Sequence, residues 1–279
     1  MLAMLCFAAM DAISKWLVAD YSVAQLMWVR FAMLLAFAWF VVRRKSVSVR
    51  AALRTPRPWL QVVRCLLWVI ESAMFVLAFF YLPLADVHAL AATSPLIVIA
   101  LGVALLGERS NPARWLAVGC AFAGVLAIVR PGFRVFDWPL LLPLGGAFLW
   151  AAYQVLTRYV SRHDSTETSM IWSALVSCAA AMPFGLAAWQ WPTPAAWALM
   201  VASGALGAVA HYALIKAFEV VEAGAVQPYS YSMLVWVTGL GFVLFGDVPD
   251  GWTIAGAAIV VASGLFAWRH DRRAEKRAG

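Results

Sequence analysis

A few ionisable side chains stand inside long apolar segments of this 279-residue sequence, where a buried charge is expensive. Glu71 lies near the middle of one segment, and His88 and His211 lie within two others. A carboxylate in such surroundings could bind a proton or an ammonium group, and a histidine can titrate near neutral pH. The alternatives are a structural ion pair of Glu71 with Arg64 or Arg30, and ordinary packed histidines.

Asp11 and Lys15 are a second ionisable pair within an apolar segment. They are four residues apart, which places them on one face of a helix. They could form a polar spot that faces a cavity, or they could simply neutralise each other. Both interpretations stay open at this stage.

Aromatic and polar side chains are mixed in three clusters, at residues 150–154, 211–212 and 227–231. A pocket lined by aromatic rings and a few polar groups suits an amphipathic solute with an apolar side chain. Packing within the core is the alternative for each aromatic residue. The candidate binding residues are Trp16, Glu71, Tyr81, His88, Trp150, Tyr153, Gln154, His211, Tyr212, Gln227, Tyr229, Tyr231 and Trp236.

Enzyme signatures are absent from the sequence. There is no GxSxG, HExxH or P-loop motif, and no GxGxxG follows a predicted strand. The four cysteines lie in apolar segments without a CxxC pair, which argues against a metal cluster or a disulfide framework. We therefore expect no catalytic residue, metal or cofactor, with an intramembrane enzyme acting on lipid-linked substrates as a weaker alternative.

The composition of the chain is strongly apolar, and this determines which kind of secondary structure must position these residues. Apolar residues make up 64% of the chain and charged residues 13%, against roughly 45–50% and about 25% in soluble domains. A chain of this size cannot hide so much apolar surface from water, so the solvent must be lipid. The net charge of +7 resides mainly in short loops, which favours membrane topology over nucleic-acid binding.

The sequence predicts ten apolar helical segments, each near the roughly 20 residues needed to cross a bilayer. Short connections with Pro, Gly, Asn or Asp separate most of them. The predicted segments are 2–19, 23–42, 59–82, 84–106, 112–130, 138–160, 168–189, 194–218, 224–246 and 250–268.

The loop charges predict the orientation. With a cytoplasmic N-terminus, sixteen Lys and Arg residues lie in inside loops or the C-terminal tail, and only Arg130 and Arg134 lie outside. Both termini are then cytoplasmic, and ten crossings divide into halves at residues 1–132 and 133–279. Because each half has five crossings, the second half must be inverted, as in many secondary transporters.

A short motif supports the duplication. Residues 105–108 read LLGE and residues 244–247 read LFGD, an offset of 139 residues. We expect Glu108 and Asp247 to cap the helices that follow them. Pro95, after Thr93 and Ser94, should kink its helix at mid-membrane and could act as a hinge.

The chain resembles the drug/metabolite transporter superfamily, specifically its ten-helix EamA-type exporters. The resemblance implies a bacterial inner-membrane exporter of small metabolites with a central cavity between two five-helix halves, closest to the aromatic and neutral amino-acid exporters. It also implies a small-molecule solute and the lipid bilayer as partners, with a monomer or, alternatively, a dimer. The matching residues are 10–15 (MDAISK), 28–31 (WVRF), 94–95 (SP), 105–109 (LLGER), 119–126, 150–153 (WAAY), 246–247 (GD), Gly256 and Gly264.

Two departures from the family pattern concern its symmetry: Asp247 replaces a Glu, and segment nine has no counterpart of Pro95. An alternative function is the proton-coupled efflux of cationic drugs, for which Glu71 would be essential.

Overall fold

The computed structural model describes residues 2–45, 48–107, 112–129, 138–220, 226, 230 and 232–278. Within these ranges the chain is helical and contains no strand. The helices are α1 (Leu2–Leu17), α2 (Val23–Arg44), α3 (Val49–Ala52), α4 (Pro58–Tyr81), α5 (Leu84–Ala91), α6 (Ser94–Leu106), α7 (Pro112–Val129), α8 (Leu141–Val160, after a 3-10 turn at Trp138–Leu140), α9 (Thr166–Ala187), α10 (Pro194–Val220), α11 (Ser232–Phe245) and α12 (Gly251–Ala278).

Seven stretches of the described chain are long and apolar enough to cross a membrane. The apolar segments α1, α7 and α11 fall outside this set, so the count of ten crossings stays a prediction. The seven are Val23–Arg44, Pro58–Tyr81, Leu84–Leu105, Trp138–Val160, Thr166–Ala187, Pro194–Val220 and Gly251–His270.

The fourth apolar segment is broken where the sequence predicts a kink. Helix α5 ends at Ala91, and α6 begins at Ser94 with Pro95 in its first turn. Proline is tolerated there because the first N–H groups of a helix have no intrahelical partner. The Thr93 hydroxyl donates to the Leu90 carbonyl at 2.8 Å, which satisfies an acceptor at the break.

The two copies of the repeated motif end their helices in the same way. Gly107 after α6 and Gly246 after α11 adopt φ values of 65° and 69°. This left-handed conformation is the usual helix C-terminal signal of glycine, since a side chain would be strained there. The sequence repeat is therefore also a repeat of local backbone structure.

The contacts between helices repeat in the two halves of the chain, α1 to α7 and α8 to α12. A helix of one half and its counterpart in the other half pack against corresponding partners. Helix α1 packs against α10 and α11, and α8 packs correspondingly against α4 and α6. Helix α2 packs against α9, and α7 packs against α12. Each of these two pairs joins corresponding helices of the two halves. The α7–α12 contact needs small residues, because a Cβ on Gly124 would lie 2.8 Å from the Gly256 carbonyl oxygen.

The loops predicted to lie outside the membrane gather at one end of the bundle. Lys15 near the end of α1 contacts Asp247, which also accepts from the N–H of Leu84 at the start of α5. The rings of Tyr81 and Trp138 are 5.0 Å apart at this end. Helix α1 therefore ends where α8 begins, so these two corresponding helices run in opposite directions.

Loops predicted to lie inside gather at the other end. Thr55 and Gln61 donate to Asp164 at 2.7 and 2.8 Å, and Lys45 donates to Glu167. Because α1 and α8 run between the two groups of loops in opposite directions, the bundle has two distinct polar ends.

Candidate functional site

A cavity lies between the two halves of the bundle and has a volume of about 120 Å³. Most of its wall is apolar: Met4, Phe7 and Met10 from α1, Leu34 from α2 and Phe75 from α4. Helices α5, α6, α8, α10 and α11 complete it. Residues that lie far apart in the sequence therefore share one enclosed space.

Four ionisable side chains line this cavity: Asp11, Arg30, Glu71 and His88. Each comes from a different helix, and each is only 6–8% exposed. Charged groups inside membrane proteins generally face a cavity or a partner, because lipid cannot solvate them. The four together form what we call the cavity cluster.

Arg30 contributes a positive charge to the cluster beside the two acids. One of its terminal nitrogens donates to the Ser14 hydroxyl at 2.5 Å. Ser14 in turn donates to the Met10 carbonyl at 2.7 Å. The Nε–H of Arg30 makes no hydrogen bond to any described residue, so the guanidinium keeps a free donor at the cavity.

Glu71 and His88 complete the cluster. The Ser72 hydroxyl donates to Glu71 at 3.1 Å. The Nε2 atom of His88 lies 3.3 Å from an Asp11 oxygen, close enough for an ion pair but not aligned as a hydrogen bond. The rings of Phe75 and Phe79 lie 5.9 and 5.8 Å from the imidazole.

Aromatic rings form a second feature of the cavity wall. Trp150 packs edge-on against Phe7 and stacks on Tyr153, with ring centroids 6.1 and 5.3 Å apart. The ring of Trp68 stacks on that of His211 at 3.9 Å and 6° between planes. Trp68 and Trp150 line the cavity, and Tyr153 and His211 lie behind them.

A fully buried arginine supports this aromatic layer from behind. Arg64 donates to Gln61 at 2.6 Å, to the Ser169 carbonyl at 2.9 Å and to the Tyr153 hydroxyl at 3.1 Å. The hydroxyl of Tyr153 also lies 2.9 Å from Nε2 of His211. We call Arg64 with these partners the Arg64 network; it fixes the side chains on which the aromatic wall rests.

The structure decides two pairings that the sequence left open. Asp11 does not pair with Lys15: it lies beside His88, and Lys15 contacts Asp247 at 2.5 Å. Arg64 does not pair with Glu71, because neutral acceptors take up its donors. These contacts join helices that are distant in sequence, which helical spacing alone cannot reveal.

Asp247 does not cap the helix that follows it. The cap of α12 is Asp250, whose carboxylate accepts from the N–H of Thr253 at 2.8 Å. Glu108, the other predicted cap, lies outside the described residues.

The candidate residues separate into five groups. Glu71, His88, Trp150, Gln154 and the predicted hinge Pro95 line the cavity.

Tyr153 and His211 lie directly behind the cavity wall. Trp16, Tyr81 and Trp236 are 55%, 46% and 38% exposed and do not line it.

Tyr212 contacts Phe37 and Lys45 instead of the cavity. Gln227, Tyr229 and Tyr231 lie outside the described residues.

The sequence interpretation missed two residues that the structure places on the cavity wall. Arg30 entered only as a possible partner of Glu71, and Trp68 was not a candidate. Position alone could have identified Arg30, because it is an arginine well inside an apolar segment. Trp68 is one of fifteen tryptophans, so composition could not single it out.

No group of three His, Cys, Asp or Glu side chains in the described part of the chain could hold a metal ion. The described site therefore consists of ionisable groups, amides and aromatic rings.

Comparison with known families identifies the chain. The model of the EamA-like transporter family matches it twice, at residues 1–130 and 137–269. The chain belongs to this family. It is accordingly a membrane transporter, whose described residues form helices without a strand, and the predicted superfamily is confirmed at this level.

Relatives of this EamA-like transporter carry different solute names. The riboflavin transporter of Rhizobium johnstonii is 30% identical over 99% of this chain and 91% of its own length. That of Vibrio cholerae is 32% identical over 84% and 79%. The S-adenosylmethionine uptake transporter of Rickettsia prowazekii is 26% identical over 77% and 73%. None of these three names refers to amino-acid export.

A solved crystal structure has the same fold. It aligns with a TM-score of 0.70 and covers 98% of both chains, at 23% sequence identity. This likeness supports the helical architecture of the transporter and carries no information about its solute.

Proposed function

We propose that this EamA-like transporter moves an amphipathic organic solute with an aromatic ring system, of the flavin type, across the bacterial inner membrane by alternating access. The observation that carries the proposal is the cavity between the two halves, which joins an aromatic wall to buried polar groups. Such a lining suits a flat ring, which aromatic side chains contact and a few hydrogen bonds orient. The volume of about 120 Å³ is smaller than a typical ligand site, so a flavin-sized solute requires the halves to move apart as it binds. Riboflavin transporters among the relatives favour this class of solute.

The transport cycle rests on two inverted five-helix halves, at residues 1–132 and 133–279. Three observations support this proposal: the double match of the family model, the equivalent ends at Gly107 and Gly246, and the helix contacts that repeat in the two halves. The opposite directions of α1 and α8 agree with inversion. In transporters of this kind, one half rocks against the other around a fixed site.

The proposed orientation places both termini in the cytoplasm. It is supported by the sixteen basic residues of the predicted inside regions, against two outside. The Lys15–Asp247 contact then closes the outer end of the bundle, while cavity residues such as Met4 and Leu214 lie toward the inner end. These features favour a state in which the cavity faces the cytoplasm. Separately, we propose that the transporter acts as a monomer.

A second candidate is the export of aromatic or neutral amino acids. It is favoured by the cavity cluster, which offers Arg30 to a carboxylate and Asp11 or Glu71 to an ammonium group. An amino acid with an apolar side chain would use both the cluster and the aromatic wall. Proton-coupled efflux of cationic drugs needs only the acidic groups, so it does not account for Arg30.

The test is solute exchange in proteoliposomes that contain the purified transporter. The panel consists of labelled riboflavin, S-adenosylmethionine, phenylalanine, tryptophan, leucine and a cationic dye. We expect riboflavin to exchange fastest, and replacing Trp68 with Leu to reduce its apparent affinity roughly fivefold, since an aromatic contact contributes about 1 kcal/mol.

Leu66→Ala serves as the control, because Leu66 is on the same helix, is exposed and does not line the cavity. Exchange of amino acids without riboflavin would select the second candidate. Flux equal to that of empty liposomes for the whole panel would reject both.

A further inference from the structure

The charges of the cavity cluster do not balance when its histidine is neutral. Asp11 and Glu71 contribute two negative charges when ionised, and Arg30 contributes one positive charge at every accessible pH. The cluster then carries one net negative charge in a space that is largely apolar. One additional proton, on Glu71 or on His88, brings the sum to zero.

The surrounding elements provide no other counter-charge for the cluster. On α1 and α11, Lys15 and Asp247 neutralise each other. On α4, Arg64 donates to neutral acceptors behind the wall. The remaining titratable groups that the structure describes on the packed helices α5, α8 and α10 do not line the cavity; they are Asp86, Tyr153, Arg158, Tyr159, His211, Tyr212, Lys216 and Glu219.

Two buried nitrogen atoms at the cavity show that the protein does not satisfy every hydrogen-bonding group of the cluster. The Nε atom of Arg30 makes no hydrogen bond to a described residue, and neither does Nε2 of His88. Both side chains are more than nine-tenths buried and line the cavity. In contrast to the Arg64 network, the cluster therefore keeps hydrogen-bonding capacity for something that enters the cavity.

We propose that the cavity cluster binds one exchangeable proton per transport cycle, held by Glu71 or His88, and that the cavity closes around its solute only when this proton is present. This inference rests on the proposed function and deepens it by naming a coupling ion. The proton is taken from water on one side of the membrane as an O–H bond at Glu71 or an N–H bond at His88. The same bond breaks after the halves have rearranged, and the proton leaves on the other side.

The physical reason is the cost of closing the cavity. In an open cavity, water solvates a net charge, but an occluded cavity removes that water. An uncompensated charge in a low-dielectric space costs several kcal/mol, whereas a neutral, mutually paired cluster does not. A bound solute expels this water, so the loaded transporter crosses only when protonated, whereas the empty cavity keeps its water and returns without the proton. Solute and proton then cross together, and a pH gradient becomes a driving force.

The first test does not depend on any solute. Infrared difference spectroscopy of the purified transporter during a pH titration detects the carbonyl stretch of a protonated carboxylic acid. We expect this band in the wild type and in the matched control Glu167→Gln, whose side chain is outside the cavity, and its loss in Glu71→Gln. A wild-type titration without any band that Glu71→Gln removes, and without an imidazolium signal that His88→Gln removes, would overturn the proton site.

The second test uses riboflavin exchange in proteoliposomes. Above the midpoint of its profile, wild-type exchange should fall roughly tenfold for each pH unit, as the protonated fraction does. A gradient of about one pH unit should support up to roughly tenfold accumulation for one proton per solute. Glu167→Gln should keep both properties, while Glu71→Gln should lose the pH dependence and the accumulation.

The possible failures are distinguishable. Absence of exchange by the wild type for every solute rejects the proposed function, and the infrared titration still decides the proton site. If the rate of riboflavin exchange does not depend on pH and a pH gradient causes no accumulation, the coupling is overturned and the transport function stays intact. If Glu71→Gln is not recovered as folded protein, Glu71→Asp replaces it: a shifted exchange profile supports the proposal, and an unmoved one contradicts it.

Discussion

Two buried arginines on neighbouring helices, Arg30 and Arg64, have opposite surroundings. The donors of Arg64 are directed at an amide, a hydroxyl and a carbonyl of the protein, and the residue is fully buried. Arg30 lines a cavity together with two acids, Asp11 and Glu71, and one of its N–H groups has no described partner. A cation whose donors the protein satisfies holds helices together, whereas one left partly free can act on a solute.

This difference predicts that Arg64 matters most for stability. Arg64→Met leaves the Gln61 side-chain oxygen without its donor in a site that excludes water, whereas the Ser169 carbonyl keeps the Ser173 hydroxyl and the Tyr153 hydroxyl keeps His211. An unsatisfied buried group costs about 1–3 kcal/mol, so we expect a loss of that size. Thermal unfolding in detergent measures it, with the exposed Arg54→Met as control; equal unfolding temperatures would contradict the structural role.

Arg30 should matter most for transport. Arg30→Met leaves Asp11 and Glu71 without their cation, but protonation and water in the cavity can compensate in the resting protein. We expect solute exchange to fall roughly 100-fold, corresponding to about 2.7 kcal/mol, with a smaller loss of thermal stability than Arg64→Met shows. If Arg30→Met unfolds as readily as Arg64→Met and its folded fraction transports normally, the comparison fails.

Pro95 tests whether the helix break beside the cavity acts in the cycle. Pro95→Ala restores an N–H and permits a continuous helix from α5 into α6. We expect turnover to fall several-fold while the unfolding temperature changes little, because the substituted position is in the first turn of α6. Pre-steady-state solute counterflow measures turnover, and unchanged kinetics would leave Pro95 with a structural role only.

The smallest effect is expected at the contact between Lys45 and Glu167, far from the cavity. The hydrogen bond to Glu167 raises the pKa of Lys45 above its ordinary value. Its contribution to stability is therefore complete below the ordinary pKa and is lost as pH rises through the raised value. Because Lys45 is exposed, Lys45→Met should lower the free energy of unfolding by about 1 kcal/mol or less. The unfolding temperatures of the variant and the wild type should differ at neutral pH and coincide at strongly alkaline pH.

Local features of the fold were predictable because their causes are local. The break at Pro95 follows from the missing N–H of proline, and the helix ends at Gly107 and Gly246 from the conformational freedom of glycine. The duplication could be predicted because the motif that contains these two glycines recurs at a fixed offset. The particular solute could not, because it depends on the shape of the cavity and not on any motif.

Candidate residues were predictable only in part, for a physical reason. A carboxylate or histidine in an apolar segment must face something polar, and this identified Glu71 and His88. The same reasoning cannot tell an aromatic ring in a cavity wall from one that faces lipid, since both surroundings are apolar. Trp16 and Trp150 therefore looked alike in the sequence, although the first is 55% exposed and the second lines the cavity.

The sequence by itself determined that the chain lies in lipid, where its helices break and end, and which charges are too costly to face the bilayer. Only the tertiary structure decided the partners of those charges. Asp11 is beside His88 and Lys15 beside Asp247, although one helical turn joins Asp11 to Lys15. The physical reason is that helical spacing places two side chains on one face, whereas the packing of distant helices decides what stands opposite that face.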